Sequence, residues 1–487
     1  MAFDDRLRPL PAQAGDLDRE QFRRAGHELI DWIAGYLGRR ERISVLPDVE
    51  PGELIDKLPA SPPAVGTDLP DLLAEFERDI LPHTVHWSHP RFMAYFAAGG
   101  STPAVLAEAL SAALNNVGLL WRSSPALAEL EQVTLQWLAR LLCLPESWFG
   151  IIHDTASTAS LHAVIAARER AAVAARGAGG SLDLNRIVIY ASDQAHSSIE
   201  KVTAALGRGL DACRKIASDD RFSMRPDALR AAIAEDLSNG LAPIAVVATV
   251  GTTPSTAVDP VDEIADIAAE HALWLHVDAA YGGAASILPE QRDLFAGCDR
   301  ADSYVVNPHK WLFVSMDLSV LYSAHPGCFR AAFSLTPEYL RSRAHPRVVN
   351  YMEYAIPLGR RFRALKLWYV LRALGADRIA ATIREHIRIA GLLAGWIDAE
   401  PDFELLAPAP FSLVCLRFRP ARLSEAEADT ASERLLDDVN ATGEFFLSHA
   451  VLGGRFAIRV AIGNIGTTEQ DVRRLWHLLQ VLARKLP

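Results

Sequence analysis

The chain has 487 residues, 50% of them hydrophobic and 22% charged, so it is long enough for a large buried core and for about three structural units of ~150 residues. Its net charge of −11, without a basic run, disfavours nucleic acid and indicates a small-molecule partner. No stretch approaches the ~18 apolar residues of a membrane span, and the first residues hold no apolar signal segment, so we expect a cytoplasmic protein with no membrane partner.

The first hundred residues are predicted to form a helix, a proline-rich connector and a second helix. Residues 22–37 have apolar side chains at helical spacing, and a proline-rich run at 58–63 interrupts the pattern. Residues 1–100 carry too little apolar surface for a core of their own. We therefore expect this helical N-terminal segment to pack on a partner subunit.

Residues 101–359 are predicted to form a large domain. Helical stretches alternate there with short apolar runs typical of strands, which lie at 187–190, 244–249, 273–277, 304–306 and 318–322. This alternation predicts an α/β fold with a mostly parallel sheet and helices on both faces. Ligands of such sheets bind at the carboxyl ends of the strands.

Residues 360–487 are predicted to form a small C-terminal domain. A helix is expected at 362–374, strands at 411–416 and 456–461, and further helices at 424–441 and 468–485. The five cysteines, at 143, 213, 298, 328 and 415, are odd in number and widely spaced. We interpret them as buried thiols of a reducing compartment and expect no disulfide, metal site or nucleophilic cysteine.

A lysine and an aspartate that follow two predicted strands indicate the chemistry. Lys310 follows the run at 304–306, and Asp278 follows the run at 273–277. Pyridoxal phosphate (PLP) needs an amine to hold its aldehyde as a Schiff base and a carboxylate to keep its pyridine nitrogen protonated. Most charges after strands are solvated loop residues, so neither side chain decides alone.

Two further features supply partners for the rest of PLP. His196 follows the run at 187–190, and its ring could lie flat on a pyridine. Residues 155–157 precede a helix-like stretch at 161–168, and a helix N-terminus offers backbone N–H groups to a phosphate. Aldehyde, ring nitrogen, ring face and phosphate therefore all have candidate partners.

Several motifs in one order resemble the PLP-dependent group II amino-acid decarboxylases, in particular the aromatic-L-amino-acid decarboxylase family. The resemblance extends from about Phe22 to the C-terminus, and its most specific pieces lie at 46–52, 86–90, 193–198, 276–282, 307–311 and 356–363. It implies PLP fold type I, which is aspartate-aminotransferase-like, with a mostly parallel seven-stranded sheet in the large domain and a small α+β C-terminal domain. It also implies a homodimer with shared active sites.

The resemblance implies roles for individual residues. Lys310 would carry the cofactor, Asp278 would pair with the pyridine nitrogen, and Ala280 would contact the ring face opposite His196. The other positions that match cofactor contacts are Thr253 near the ring substituents and, on the phosphate side, Thr155, Ala156, Ser157, Asn307 and His309. Tyr339 matches a loop tyrosine that protonates Cα after carbon dioxide has left.

The substrate is expected to be an aromatic L-amino acid such as tryptophan, 5-hydroxytryptophan, tyrosine, dopa or phenylalanine. The matching pocket positions, some contributed by a second subunit, are Trp87, Tyr95, Phe96, Ala97, Ala98, Val117, Leu119, His309 and Gly359. Gly359 matches a glycine of plant relatives with indolic substrates, which favours tryptophan-like substrates. Two pairs depart from the family pattern: Ala97-Ala98 replaces Pro-Thr, and His153-Asp154 replaces Gln-Gly.

Decarboxylation to the amine has four alternatives, namely aromatic aldehyde synthesis, decarboxylation of another amino acid, transamination and a catalytically silent binding role. Aldehyde-forming relatives often have phenylalanine at the position of Tyr339 or a changed residue at that of His196, so these two residues favour the amine. Aromatic aldehyde synthesis and decarboxylation of another amino acid stay open as alternatives. No arginine motif of a transaminase is recognisable, and the complete set of Lys310, Asp278, His196 and Tyr339 argues against a catalytically silent binding protein.

Overall fold

The computed structural model describes residues 18–335 and 348–486. Its N-terminal part contains α1 (Arg19–Arg39), α2 (Glu53–Lys57) and α3 (Leu69–Glu75). Asp18 begins α1 with a capping box, because its carboxylate accepts the N–H groups of Glu20 and Gln21. None of the residues of α1 or α3 is buried.

A seven-stranded sheet lies at the centre of the molecule. Its strands are β1 (Phe149–His153), β2 (Ile187–Ser192), β3 (Cys213–Ile216), β4 (Ala242–Thr249), β5 (Trp274–Asp278), β6 (Ser303–Val306) and β7 (Ser319–Ser323). They are ordered β1-β7-β6-β5-β4-β2-β3. Strand β7 runs antiparallel to β1 and β6, and the other neighbours are parallel. The predicted mostly parallel seven-stranded sheet is confirmed.

Helices cover both faces of this sheet. They are α4 (Thr102–Leu114), α5 (Pro125–Leu141), α6 (Ala156–Gly177), α7 (Ser198–Ala205), α8 (Pro226–Ser238), α9 (Val261–Glu270), α10 (Pro308–Trp311) and α11 (Pro326–Phe333). Alanines of α6 pack on Ile151, Val305 and Leu321 at one face. Leu135 of α5 and Ile264 of α9 belong to the core on the other face.

The C-terminal part has a second sheet and three helices. These elements are α12 (Ala364–Asp398), β8 (Phe403–Leu405), β9 (Leu413–Phe418), α13 (Glu425–Ala441), β10 (Ser448–Leu452), β11 (Arg455–Ala461) and α14 (Glu469–Ala483). The strands form an antiparallel sheet in the order β10-β11-β9-β8. Its core joins β9 and β11 to α13, α14 and the end of α12.

Some elements differ from the sequence expectation. Strands β1, β3, β8 and β10 were not predicted, because they are short or mix polar with apolar residues and so lack a clear period. The helix expected at 362–374 continues to Asp398. Gly375 interrupts its helical backbone with φ 72°, and the helix resumes beyond it.

The described cysteines are all free, but they are not all buried. Cys213, Cys298 and Cys415 are buried, and burial raises the pKa of the Cys213 thiol to about 11. Cys143 is exposed, so the prediction of a buried thiol is wrong there. It lies in the turn after α5 with φ 55°, outside the apolar face of that helix.

Candidate active site

Polar side chains line the carboxyl edge of the large sheet. Thr249 and Asp278 end β4 and β5 as register partners, and Asn307 follows β6. At the antiparallel side of the sheet, His153 of β1 is the register partner of Ser319 of β7. Because partners across neighbouring strands project to the same face, the ends of adjacent strands present a continuous polar edge.

Several buried polar atoms of this edge have no hydrogen-bond partner among the described residues. They are Thr249 Oγ1, Asn307 Oδ1, Ser319 Oγ and His153 Nε2. Buried polar groups are nearly always paired in folded proteins. The edge therefore has the properties of a site for a polar ligand.

Lys310 brings an amine to this edge. Its backbone N–H donates to the carbonyl of Asn307 at 2.9 Å, which holds α10 against the end of β6. Burial lowers the pKa of Lys310, Arg459 lowers it further, and Asp278 acts in the opposite direction. The neutral amine, which is the nucleophilic form, is thereby favoured relative to a solvated lysine.

Asp278 is buried at the end of β5, which pairs with β6, the strand that precedes Lys310. Its Oδ1 accepts the N–H of Ala280 at 3.1 Å, and the carbonyl of Ala280 accepts the N–H of Asn307 at 3.1 Å. These bonds tie the turn after β5 to the end of β6. The structure thus brings Asp278, Ala280, Asn307 and Lys310 together, as the sequence predicted.

His196 joins the same group with an exposed ring. Its Nδ1 accepts the N–H of Ser198 at 3.1 Å and lies 2.8 Å from the hydroxyl of Ser198. Because Nδ1 is an acceptor, the proton of the neutral ring is on Nε2. Desolvation lowers the pKa of His196, the charge of Asp278 raises it and the charge of Lys310 lowers it. Both charges therefore lie close enough to the ring to influence its protonation.

The N-terminus of α6 lies at the polar edge, directly after β1. Thr155 caps the helix by accepting the N–H of Thr158, and Ala156 and Ser157 are its first two residues. The carboxylate of Asp154 accepts the N–H of Thr155 at 2.7 Å. Asp154 is one of the residues that depart from the family pattern, and it thereby occupies one backbone N–H group next to the start of α6. The unpaired N–H groups of the first turn remain suited to an anion.

His309 lies beside Lys310 but is bound to the start of β7. Its Nδ1 accepts the N–H of Leu318 at 3.0 Å. Burial lowers the pKa of His309 to about 4, so its ring is neutral at physiological pH.

Part of the predicted substrate pocket lies next to Lys310. The Phe96 ring centroid is 5.0 Å from Lys310 Nζ, and the ring is buried. Tyr95 stacks on Trp87 with 5.9 Å between ring centroids, and both are exposed. Ala97 and Ala98 follow Tyr95 and Phe96 in the chain, and the pair Tyr95 and Phe96 is here called the aromatic run.

The other predicted pocket residues form a second group. A Cβ atom on Gly359 would be 3.4 Å from Cγ1 of Val117, so these two residues are in contact. Val117 and Gly359 are exposed, and Leu119 is half-buried. Tyr339, the predicted proton donor, lies outside the described residues.

Arg459 lies beside Phe96 but was not predicted from the sequence. It is 3% exposed, and its guanidinium lies 5.4 Å from the Phe96 ring centroid. Its four hydrogen bonds go to neutral oxygens, namely Pro254 O, Thr253 O, Tyr95 O and Ser448 Oγ. Arg459 therefore connects the predicted cofactor loop at Thr253 to the aromatic run. An arginine inside the otherwise apolar run at 456–461 was the available signal.

Known proteins resemble the chain along nearly its whole length. The family model for the pyridoxal-dependent decarboxylase conserved domain matches residues 51–419. A phenylacetaldehyde synthase of Arabidopsis thaliana is 40% identical over 95% of this chain and 96% of its own length. Tryptophan decarboxylase 2 of Oryza sativa subsp. japonica is 39% identical over 96% of each chain. A solved structure of Oryza sativa TDC with PLP and tryptamine has a TM-score of 0.93 at 36% identity, and covers 96% of this chain and 99% of that chain.

The residues at the polar edge fit PLP. The site offers an amine of lowered pKa in Lys310, a buried carboxylate in Asp278, a helix N-terminus for a phosphate and an unpartnered buried atom in Asn307. No group of histidine, cysteine and carboxylate residues in the described ranges could hold a metal ion, and no helix there is long and apolar enough to cross a membrane. Given the match over residues 51–419 and this donor set, the chain belongs to the family of pyridoxal-dependent decarboxylases, with PLP as its cofactor.

Proposed function

We propose that this decarboxylase converts an aromatic L-amino acid to the corresponding amine and carbon dioxide. The observation that carries the proposal is the aromatic surface beside the reactive amine, where Phe96 lies 5.0 Å from Lys310 Nζ and Trp87 and Tyr95 stack on each other. Aromatic rings favour stacked or edge contacts with an aromatic guest. The names of the tryptophan and tyrosine decarboxylases that align with 95–96% of the chain support it.

The proposed roles follow from where each group lies. PLP, when bound, accepts the electron pair that the departing carboxylate leaves on Cα. Lys310 would hold the cofactor aldehyde through its neutral amine, and Asp278 would keep the proton on the pyridine nitrogen. His196 would cover one face of the ring and Ala280 the other.

The remaining proposed contacts position the cofactor and the substrate. Thr155, Ala156 and Ser157 would bind the phosphate through the first turn of α6. Asn307 and His309 would complete the phosphate side, and the loop with Thr253 would border the ring substituents. Arg459 would hold that loop in a fixed position relative to the aromatic run, since it donates hydrogen bonds to both.

A substrate panel tests the proposed function. The purified holoenzyme would be given tryptophan, 5-hydroxytryptophan, tyrosine, dopa, phenylalanine, histidine and glutamate, with amine and carbon dioxide measured together. Equal amounts of amine and carbon dioxide from at least one aromatic amino acid are expected. Turnover of histidine or glutamate alone would contradict the aromatic assignment.

A second candidate function, aromatic aldehyde synthesis, is favoured by the 40% identity to the phenylacetaldehyde synthase. Tyr339 distinguishes the two functions, because a proton donated to Cα completes the amine. In Tyr339→Phe we expect amine formation to fall by ~10²-fold or more, the range of lost acid catalysis. Dioxygen is the oxidant of the competing reaction: it is reduced to peroxide, and hydrolysis of the oxidised product releases aldehyde and ammonia.

Simultaneous loss of amine, aldehyde and carbon dioxide in Tyr339→Phe would contradict the role as proton donor. Tyr369→Phe serves as the matched control, because it also removes one tyrosine hydroxyl, in this case from α12. It should leave the product ratio unchanged.

We further propose a cytoplasmic homodimer that forms through the N-terminal segment. Helices α1 and α3 present an apolar surface in which Phe22, Leu29 and Leu72 are 68%, 45% and 44% exposed. Exposed apolar surfaces of this kind mark protein interfaces. A dimer would also bring the group of Val117 and Gly359 to a partner's site.

Sedimentation equilibrium tests the dimer. The wild type is expected to sediment as a dimer, and the double variant Leu29→Asp, Leu72→Asp should shift it towards the monomer, because buried unpaired charges oppose association. Glu28→Gln on the same helix is the control that should stay dimeric. A wild-type monomer would contradict the proposal.

A further inference from the structure

Residues 356–360, here called the recognition segment, lie against Val117. Residues 356–359 are exposed, and Gly359 is so close to Val117 that an added Cβ would be 3.4 Å from its Cγ1. The position of the segment relative to Val117 therefore determines the space between them.

The C-terminal end of the recognition segment is firmly attached. The carbonyl of Arg360 accepts the N–H of Gly118 at 2.8 Å. The buried guanidinium of Arg360 donates to the carboxylate of Glu131 at 2.5 Å and to the carbonyl of Ile152 at 2.8 Å. This end would stay in place if another attachment were lost.

The N-terminal end depends on one side chain. The N–H of Ile356 donates to Nε2 of His162 at 2.9 Å. Among the contacts within residues 18–335 and 348–486, it is the one hydrogen bond made by the backbone of residues 356–359. Without it, the backbone of residues 356–359 would keep no hydrogen bond to the rest of the described protein.

The geometry determines which nitrogen of His162 carries the proton. Its Nδ1 lies 2.7 Å from the carbonyl oxygen of Thr158, which can only accept a hydrogen bond. Nδ1 must therefore be the N–H donor, and in the neutral ring Nε2 is left as the acceptor that Ile356 requires. Burial lowers the pKa of His162, which is consistent with this neutral form.

His162 is held in this orientation by its neighbours. It is 1% exposed on α6, and its ring centroid lies 4.5 Å from that of His153 and 4.9 Å from that of Phe333. The side chain is thus a rigid support that connects α6 to the recognition segment.

We propose that His162 sets substrate selectivity by positioning the recognition segment. The inference rests on the proposed function, which places Val117 and Gly359 in the substrate pocket. If Ile356 were released, the segment could shift relative to Val117, and aromatic side chains of different size would be discriminated less well. When two substrates differ by one methylene group in an apolar pocket, their kcat/KM values already differ by ~10-fold or more. His162 is a positioning residue in this proposal.

Two substitutions separate the two hydrogen bonds of His162. His162→Gln keeps an acceptor near the position of Nε2 and should retain the bond from Ile356. His162→Asn has an amide near the position of Nδ1, so it can keep the bond to Thr158 but cannot reach Ile356. The pair is matched in chemistry and differs by one methylene.

The experiment measures kcat/KM of each holoenzyme for tryptophan, tyrosine and phenylalanine, together with hydrogen exchange of the peptide that contains Ile356. In His162→Asn, we expect the ratio between the best and the poorest substrate to fall by about 5-fold, the size of one lost hydrogen bond, and the exchange to become faster. In His162→Gln, both should stay within about 2-fold of the wild type.

The outcomes separate this inference from the proposed function. An unchanged substrate ratio in His162→Asn, or an equal loss of kcat/KM for all three substrates, would overturn the selectivity role. An equal change of the ratio in the Gln and Asn variants would also overturn it, because the acceptor would then be irrelevant. If the wild type turned over no aromatic amino acid, the proposed function would be refuted, and the inference with it.

Discussion

Replacement of Lys310 by alanine is expected to abolish decarboxylation while the protein still folds. The variant loses the amine that would hold the cofactor aldehyde. Removal of one of several catalytic residues that act together lowers kcat by ~10⁴-fold or more. Some PLP should still bind noncovalently, because the α6 N-terminus, Asp278 and Asn307 are untouched.

Three measurements check the Lys310 prediction. Carbon dioxide release gives turnover, the visible absorption of PLP before and after borohydride shows whether the cofactor is covalently bound, and thermal unfolding reports the fold. Lys485→Ala, at an exposed lysine near the C-terminus, is the control and should keep full activity. Wild-type turnover in Lys310→Ala would rule out this residue as the cofactor lysine.

Replacement of Asp278 by asparagine is expected to lower kcat by ~10²-fold or more, which reflects the strength of a buried charge pair. Asparagine has nearly the same shape, and its amide oxygen can still accept the N–H of Ala280 that Oδ1 accepts at 3.1 Å. It lacks the charge that would hold the proton on the pyridine nitrogen. The variant therefore tests the charge with little change of packing.

Steady-state kinetics over a range of PLP concentrations checks the Asp278 prediction, because it separates weaker cofactor binding from slower chemistry. The loss should persist at saturating PLP. Asp293→Asn, at an exposed aspartate, is the control. A kcat near that of the wild type in Asp278→Asn would show that another carboxylate serves the ring nitrogen.

The strand that carries Asp278 and the strand that precedes Lys310 were predictable because each is a short apolar run. β5 and β6 are fully buried, so their apolar sequence marked them, and the residues after them had to meet at the carboxyl edge of a parallel sheet. β3 was not predicted, because two of its four residues, Arg214 and Lys215, are polar. Edge strands of this kind have no continuous apolar signal.

Contacts between distant segments could not be predicted in the same way. Arg459 lies more than 200 positions from Thr253 and more than 360 from Tyr95, yet it donates hydrogen bonds to the carbonyls of both. A backbone carbonyl has no sequence signature, because every residue has one. The bond that the N–H of Ile356 donates to His162 was missed for a similar reason, because almost every residue also has a backbone N–H.

The amino-acid sequence by itself determined the family, the PLP chemistry and the mostly parallel sheet, because strand periodicity and the order of the motifs are local properties of the chain. It also indicated that Lys310 and Asp278 would meet, since parallel strands end at a common edge. Only the tertiary structure decided that Arg459 connects the cofactor loop to the aromatic run, that His162 supports the recognition segment, and that the pocket residues divide into two groups. Those relations depend on packing and hydrogen bonds between remote residues, which exist only once the chain has folded.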